Sequence, residues 1–119
     1  MIAEASLLCL ALAMYSESRG ESEDGQVAVA AIIMNRLEDD HYPKSICKIV
    51  KHHSWNSNRP LSKVKEKAAL YKAKQLAQMY ISGKIKNPVG PRLYFNQVRL
   101  GKRFKTPNSP LRIDGHLFY

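Results

Sequence analysis

Glu17 lies where an uncharged, mostly apolar segment becomes a polar turn, which makes it the first candidate for chemistry. Apart from Glu4, residues 1–16 carry no charge, and residues 15–21 have the sequence YSESRGE. A helix over the apolar segment would be buried, with its last turn carrying a carboxyl group out of the core. Partial burial disfavours the ionised carboxyl and raises its pKa, which keeps a proton available near neutral pH. Glu17 is therefore a candidate general acid, and a capping or salt-bridged surface glutamate is the alternative.

The N-terminal third has the pattern of two helices joined by a short turn. The first is predicted over residues 3–16, and Gly20 supplies a residue able to adopt the positive φ of a helix end. Ser22 can cap the second helix, whose residues 27–34 are apolar on every face. Such a helix is expected to be the central buried element. A short third helix is predicted over residues 45–51.

The remainder of the chain is less regular. Residues 52–61 have the composition of a loop, residues 62–82 return to helical spacing, and Gly83 ends that helix. Short β-like runs follow, such as residues 93–95, with turns predicted at 101–102 and 114–115. We predict an α+β fold that is mainly α, with a small irregular β portion and a cleft for a polymer between the two.

Length and charge point to one basic domain. The 119 residues allow a single compact unit, residues 1–119. Residues 1–40 hold eight acidic and two basic side chains, whereas residues 41–119 hold two acidic and seventeen basic ones, which gives the net charge of +9. The basic part is expected to contact something anionic. Charge alone does not separate nucleic acid from a polyanionic bacterial envelope.

The two cysteines give little guidance on compartment. Cys9 and Cys47 are too few for a disulfide framework or a zinc motif. We interpret Cys9 as a small core residue rather than a partner of Cys47, the bridge being the alternative. Residues 5–15 have the length of a signal-peptide apolar region, but no basic residue precedes them, so we expect no cleaved leader and no membrane span.

A dense block of residues carries a resemblance to a known family. Residues 15–36, YSESRGESEDGQVAVAAIIMNR, resemble the opening block of the SleB-like cell-wall hydrolases, which include spore cortex-lytic enzymes and phage lysins. Further pieces follow in the family's order: Ser54-Trp55, residues 87–90, residues 93–95 and residues 113–119. Together these pieces span almost the whole chain.

This resemblance implies a lysozyme-like fold of the goose-type and lytic-transglycosylase kind. It also implies cleavage of the β-1,4 bond between N-acetylmuramic acid and N-acetylglucosamine in peptidoglycan. The catalytic acid of the relatives corresponds to Glu17. Ser18 is similar to the serine of the Glu-Ser pair of lytic transglycosylases and is a candidate substrate-binding residue. Glu21, the second glutamate of the block, is expected to support the turn beside the substrate.

A mechanism with a single acid suits the distribution of carboxyl groups. Most glycosidases place a second carboxylate across the scissile bond. Beyond Asp40 the sequence offers only Glu66, on a lysine-rich helix face, and Asp114, in a predicted turn. Glu17 would protonate the leaving oxygen and then accept the proton of the muramic C6 hydroxyl, giving a 1,6-anhydro product. Attack by water, as in a muramidase, remains the alternative.

Four other residues are candidate substrate contacts. Tyr94 resembles the tyrosine that lytic transglycosylases keep near the acid, with core packing as the alternative. Ser54 and Trp55 lie in the polar loop, where a flat ring can stack on a sugar, and a satellite core is the alternative. His116 belongs to the family-like terminal block, and we expect it to make a structural hydrogen bond near the cleft.

No metal or other cofactor is expected, because the four histidines match no common zinc spacing. The expected partners are peptidoglycan glycan strands and anionic envelope polymers, with no specific nucleic acid, and we expect a monomer acting on the bacterial cell wall. The lack of an evident leader favours a phage lysin or a virion-associated module. The alternative function is a non-catalytic basic protein that binds wall polymer or nucleic acid.

Overall fold

A computed structural model describes residues 2–52, 64–98 and 108–119. The described residues form helices α1 (Glu4–Ser18), α2 (Glu23–Glu38), α3 (Ile46–His52) and α4 (Lys67–Ile81). Strands β1 (Phe95–Gln97), β2 (Leu111–Ile113) and β3 (His116–Phe118) follow. The strands make an antiparallel sheet in the order β1-β3-β2. The mainly helical α+β class is confirmed, whereas the turn predicted at residues 101–102 lies outside the described residues.

Helix α2 is the central element, as its apolar sequence predicts. Residues 27–33 are all buried, and α2 contacts α1, α3, α4 and β2. The predicted cap is confirmed, because the side chain of Ser22 accepts the N–H of Gly25 at 3.1 Å. Helix α1 packs against the other three helices, so the apolar segment that precedes Glu17 is buried as expected.

Two helix boundaries differ from their predictions by two residues or more. Helix α1 extends two residues further, so that Glu17 and Ser18 form its last turn before Gly20 adopts a φ of 85°. Helix α4 starts at Lys67, because Glu66 is held in a non-helical conformation. The backbone N–H of Glu66 donates to the Tyr15 hydroxyl at 3.3 Å, and its carboxylate pairs with Arg19 at 3.0 Å. Contacts with α1 therefore override the helical pattern there.

The interpretation of Cys9 as an unbridged core residue is wrong. Cys9 of α1 and Cys47 of α3 form a disulfide, with their Cα atoms 5.3 Å apart. The packing of α1 against α3 brings the two Cα atoms into the range that a disulfide requires. Sequence spacing carried no signal of this, since the two residues lie 38 positions apart.

A cluster of hydrogen bonds ties the β2–β3 turn to the start of α2. Asp114 Oδ2 accepts the backbone N–H of Ser22 at 3.0 Å and also accepts the Ser22 hydroxyl. Asp114 adopts a φ of 52°, a left-handed conformation that aspartate tolerates better than most residues. Gly25 makes this approach possible, because a Cβ there would lie 2.5 Å from Asp114 Oδ2. The turn predicted at residues 114–115 is confirmed and is anchored to the helical part.

Breaking the disulfide is expected to lower the free energy of unfolding by about 4 kcal/mol, from the chain entropy of the loop that it closes. This corresponds to a fall in Tm of about 15 °C for a domain of this size. Thermal unfolding with and without reductant measures it. Cys9→Ser, Cys47→Ser and the double variant should share one Tm that reductant does not change. Equal Tm values for the reduced and oxidised wild type would contradict the prediction.

The Asp114 contacts also predict a dependence of stability on pH. The hydroxyl of Ser22 bonds the ionised carboxylate and lowers the pKa of Asp114 below its usual value. A carboxyl whose pKa is lower in the folded state contributes stability above its unfolded pKa of about 3.9 and loses that contribution as pH falls through the folded pKa. Asp114→Asn should therefore have a lower Tm than the wild type at pH 7, with the difference shrinking towards pH 3.

Asp40→Asn is the matched control for that experiment. Its carboxylate is fully exposed and its only ion pair among the described residues is with Lys44 at 3.7 Å. This variant should follow the wild-type Tm across the same pH range. A constant Tm difference between Asp114→Asn and wild type from pH 7 to pH 3 would show that the charge of Asp114 is not what stabilises the turn.

Candidate active site

Glu17 lies in a cleft between the helical part and the sheet. The cleft has a volume of about 570 Å³, and Glu17 is half-buried in its wall. The described residues that line it come from three places: the end of α1 and the turn after it, the end of β1, and the β2–β3 hairpin. They are Glu17, Arg19, Glu21, Gln97, Val98, Arg112, Gly115 and His116.

Glu21 crosses the cleft to the β2–β3 turn. Its Oε2 accepts the backbone N–H of Gly115 at 3.2 Å, and its Oε1 lies 3.0 Å from His116 Nδ1. Gly115 allows this approach, since a Cβ there would lie 3.2 Å from Glu21 Oε1. Glu21 therefore binds the β2–β3 turn on the far side of the cleft. Both of its carboxylate oxygens face groups of the protein, and 18% of its side chain is exposed.

His116 is buried beside the cleft, with 4% of its side chain exposed. Its Nδ1 is close to Glu21, although the two groups are not aligned as in a hydrogen bond, and Nε2 has no hydrogen-bond partner among the described residues. The ring packs edge-on against Phe95, with centroids 5.6 Å apart. His116 thus lines the cleft, but the structural hydrogen bond expected of it is not formed with any described residue.

Arg19 lines the same cleft, and its guanidinium is bound by Tyr15 and Glu66. Its Nη1 donates to the Tyr15 hydroxyl at 2.8 Å and lies 3.0 Å from Glu66 Oε2. The guanidinium also lies over the Tyr15 ring, 5.1 Å from the ring centroid. Bonding to the Tyr15 hydroxyl and the charge of Glu66 raise the pKa of Arg19, so it is a permanent cation whose charge Glu66 largely offsets.

Ser18 does not reach the cleft. Its side chain is turned inward with 1% of the residue exposed, and its hydroxyl donates to the carbonyl of Met14 at 2.7 Å. A serine in the last turn of a helix readily makes this bond to the carbonyl four residues back. The geometry therefore does not support Ser18 as a direct substrate contact.

Tyr94 is likewise absent from the described residues that line the cleft. It pairs with Tyr119 through backbone bonds of 3.0 and 2.9 Å, and the two rings stack with centroids 5.6 Å apart. The guanidinium of Arg36 lies 5.7 Å from the Tyr94 ring. With 41% of the residue exposed, Tyr94 forms the outer side of this aromatic cluster rather than a wall of the cleft.

Ser54 and Trp55, the candidates from the polar loop, lie outside the described residues. Among the residues that the structure does describe, no three histidine, cysteine, aspartate or glutamate side chains form a group able to hold a metal ion. Within the same part of the chain, no helix is long and apolar enough to cross a membrane.

Sequence reasoning missed five residues of the cleft: Arg19, Gln97, Val98, Arg112 and Gly115. Two of them had a signal, because Arg19 and Gly115 belong to the family-like segments on either side of the cleft. Gln97 follows from the strand pairing, and Arg112 from its bond to the carbonyl of Asp114; no local pattern predicts either contact.

Solved structures similar to this chain cover nearly all of it. The catalytic domain of the Bacillus cereus SleB protein matches 99% of this chain and 91% of its own length, with 25% identity and a TM-score of 0.73. The catalytic domain of the germination-specific lytic transglycosylase SleB from Bacillus anthracis matches 98% and 95%, with 25% identity and a TM-score of 0.68. The predicted lysozyme-like fold is confirmed by these neighbours.

Curated relatives match over a shorter segment. The spore cortex-lytic enzyme of Bacillus subtilis strain 168 is 49% identical over 41 residues, which are 34% of this chain and 13% of that protein. The enzyme of the same name from Oceanobacillus iheyensis is 46% identical over 41 residues, 34% of this chain and 15% of that protein. The Cell Wall Hydrolase family matches residues 20–119. The predicted family is thereby confirmed, and the chain belongs to the cell wall hydrolases.

Proposed function

We propose that this domain cleaves the β-1,4 bond between N-acetylmuramic acid and N-acetylglucosamine in bacterial peptidoglycan, with Glu17 as the general acid. The observation that carries the proposal is the position of Glu17, half-buried in a cleft between the helices and the sheet. The family match begins at residue 20, so the assignment of Glu17 rests on this geometry and on its place in the family-like block. The names of the relatives, spore cortex-lytic enzyme and lytic transglycosylase, support the substrate class.

The reaction needs one proton, which Glu17 donates in the first step and recovers in the second. Glu17 protonates the bridging oxygen as the bond from C1 of the muramic sugar to that oxygen breaks, and C1 becomes oxocarbenium-like. The C6 hydroxyl of the same sugar then attacks C1. Its proton passes to the Glu17 carboxylate, which restores the acid and leaves a 1,6-anhydro end. No further reactant is required.

The other carboxylates support a mechanism with a single acid. Of the described residues that line the cleft, Glu17 and Glu21 carry carboxyl groups. Glu21 is engaged with Gly115 and His116, and Glu66 is paired with Arg19. Asp114 is bonded to Ser22. A second carboxylate free to act as nucleophile or base is therefore not evident in the described part of the cleft.

Glu17→Gln tests the assignment. Since an amide cannot donate the required proton, cleavage of purified peptidoglycan should fall about 10²- to 10⁴-fold. The Tm should stay close to that of the wild type. Mass spectrometry of the released muropeptides measures the rate and also identifies the ends: anhydro ends support the transglycosylase route, and reducing ends indicate attack by water.

Glu23→Gln is the matched control, because it removes an equal charge from the first turn of α2, where the described residues give Glu23 one exposed ion pair, with Lys72 at 2.7 Å. It should keep activity within about twofold, as expected for a surface ion pair. Equal wall clearance by the wild type and Glu17→Gln would refute Glu17 as the acid. Salt-sensitive binding to wall polymer or nucleic acid without any cleavage would favour a binding protein instead.

A further inference from the structure

Arg112 is the second guanidinium of the cleft, after Arg19, among the described residues. It lines the same cleft as Glu17. Its one side-chain bond among the described residues runs from Nε to the carbonyl of Asp114, at 3.1 Å. No carboxylate in the described part of the chain pairs with it, in contrast to Arg19, which Glu66 holds at 3.0 Å.

The bond to Asp114 explains why Arg112 reaches the cleft. In the sheet, Arg112 pairs with Leu117, whereas Ile113 pairs with His116. Alternation along a strand would direct Arg112 to the sheet face opposite that of His116 and Gln97, which line the cleft. Donation from Nε to the Asp114 carbonyl carries the side chain around the β2–β3 turn instead. Arg112 accordingly lines the cleft together with Glu17.

A guanidinium held through Nε keeps its terminal N–H groups for a ligand. Two such groups in one plane match the two oxygens of a carboxylate, and a charge-assisted pair of this kind is stronger than a neutral hydrogen bond. In the glycan of peptidoglycan, carboxylates are borne by the muramic sugar, on its lactyl group or on the stem peptide attached there. N-acetylglucosamine bears none.

We propose that Arg112 binds a carboxylate carried on the lactyl side group of the muramic sugar and so selects anionic glycan over neutral glycan. This inference rests on the proposed cleavage reaction and identifies the part of the substrate that the hairpin side of the cleft recognises. Arg112 acts in binding, so its removal raises KM and leaves kcat nearly unchanged.

Three glycan substrates prepared from one batch of strands test this. The first keeps its stem peptides, the second is stripped by an amidase and has free lactyl carboxylates, and the third is the stripped strand converted to neutral methylamides with carbodiimide and methylamine. Arg112→Gln should lower kcat/KM about tenfold, through KM, on the first, the second or both. It should change kcat/KM by less than about twofold on the methylamide strands.

The pattern among the three substrates identifies the source of the carboxylate. Loss on the stripped strands indicates the lactyl carboxylate, and loss confined to the first substrate indicates the stem peptide. Arg112→Lys, which keeps the charge but not the planar pair of donors, should lie between the wild type and Arg112→Gln. A folding defect would lower the rate on all three strands alike and cannot produce this selectivity.

Lys48→Gln is the control for net charge, because Lys48 is exposed on α3 and is not among the described residues that line the cleft. It should change kcat/KM by less than about twofold on every substrate. An equal loss on the methylamide strands, or an equal effect of Lys48→Gln, would overturn the proposal and leave the cleavage reaction standing. Failure of the wild type to cleave any of the three would refute the reaction itself.

Discussion

The cleft depends on a reciprocal pair of carboxylate contacts between the two ends of the chain. Glu21, in the turn after α1, accepts the N–H of Gly115, while Asp114, in the β2–β3 turn, accepts the N–H of Ser22. Each acid thus binds a backbone amide of the turn that carries the other acid. These contacts hold the hairpin against the turn that follows Glu17, so the sheet becomes the opposite wall of a cleft rather than a separate unit.

Two polar residues near the end of α2, Asn35 and Arg36, bind the segment that leads into β1. Asn35 Nδ2 donates to the carbonyls of Gly90 and Arg92, at 2.7 and 2.8 Å, and Arg36 Nε donates to the carbonyl of Leu93 at 2.6 Å. Burial lowers the pKa of Arg36, while the rings of Tyr42 and Tyr94 lie within 5.7 Å of its guanidinium and favour the cation. The segment that leads into β1 is therefore set by the central helix.

The sequence predicts correctly those features that depend on the residues of a single helix. The apolar residues 27–33 predicted a central helix and Ser22 predicted its cap, because both depend on local periodicity and capping chemistry. The sequence does not predict features that depend on contacts between segments distant along the chain. The disulfide requires the packing of α1 on α3, and the late start of α4 results from the contacts of Glu66 with α1. The cleft shows the same division, since the polar turn of residues 15–21 predicts Glu17 as a candidate, whereas the place of Arg112 depends on its bond to the carbonyl of Asp114.

The acidic and basic parts of the sequence partly neutralise each other through ion pairs within the molecule. Acids of the first forty residues pair with bases of α4, as Glu4 does with Lys74 and Glu23 does with Lys72 at 2.7 Å. The charges are exchanged in a third pair, in which the basic Arg19 binds the acidic Glu66, just before α4. Exposed pairs of this kind add little stability one by one, but here they all join α4 to the α1–α2 pair. Several bases of the sequence are therefore neutralised within the molecule. In the proposal above, an anionic glycan is recognised by the position of one cation, Arg112, rather than by the total positive charge.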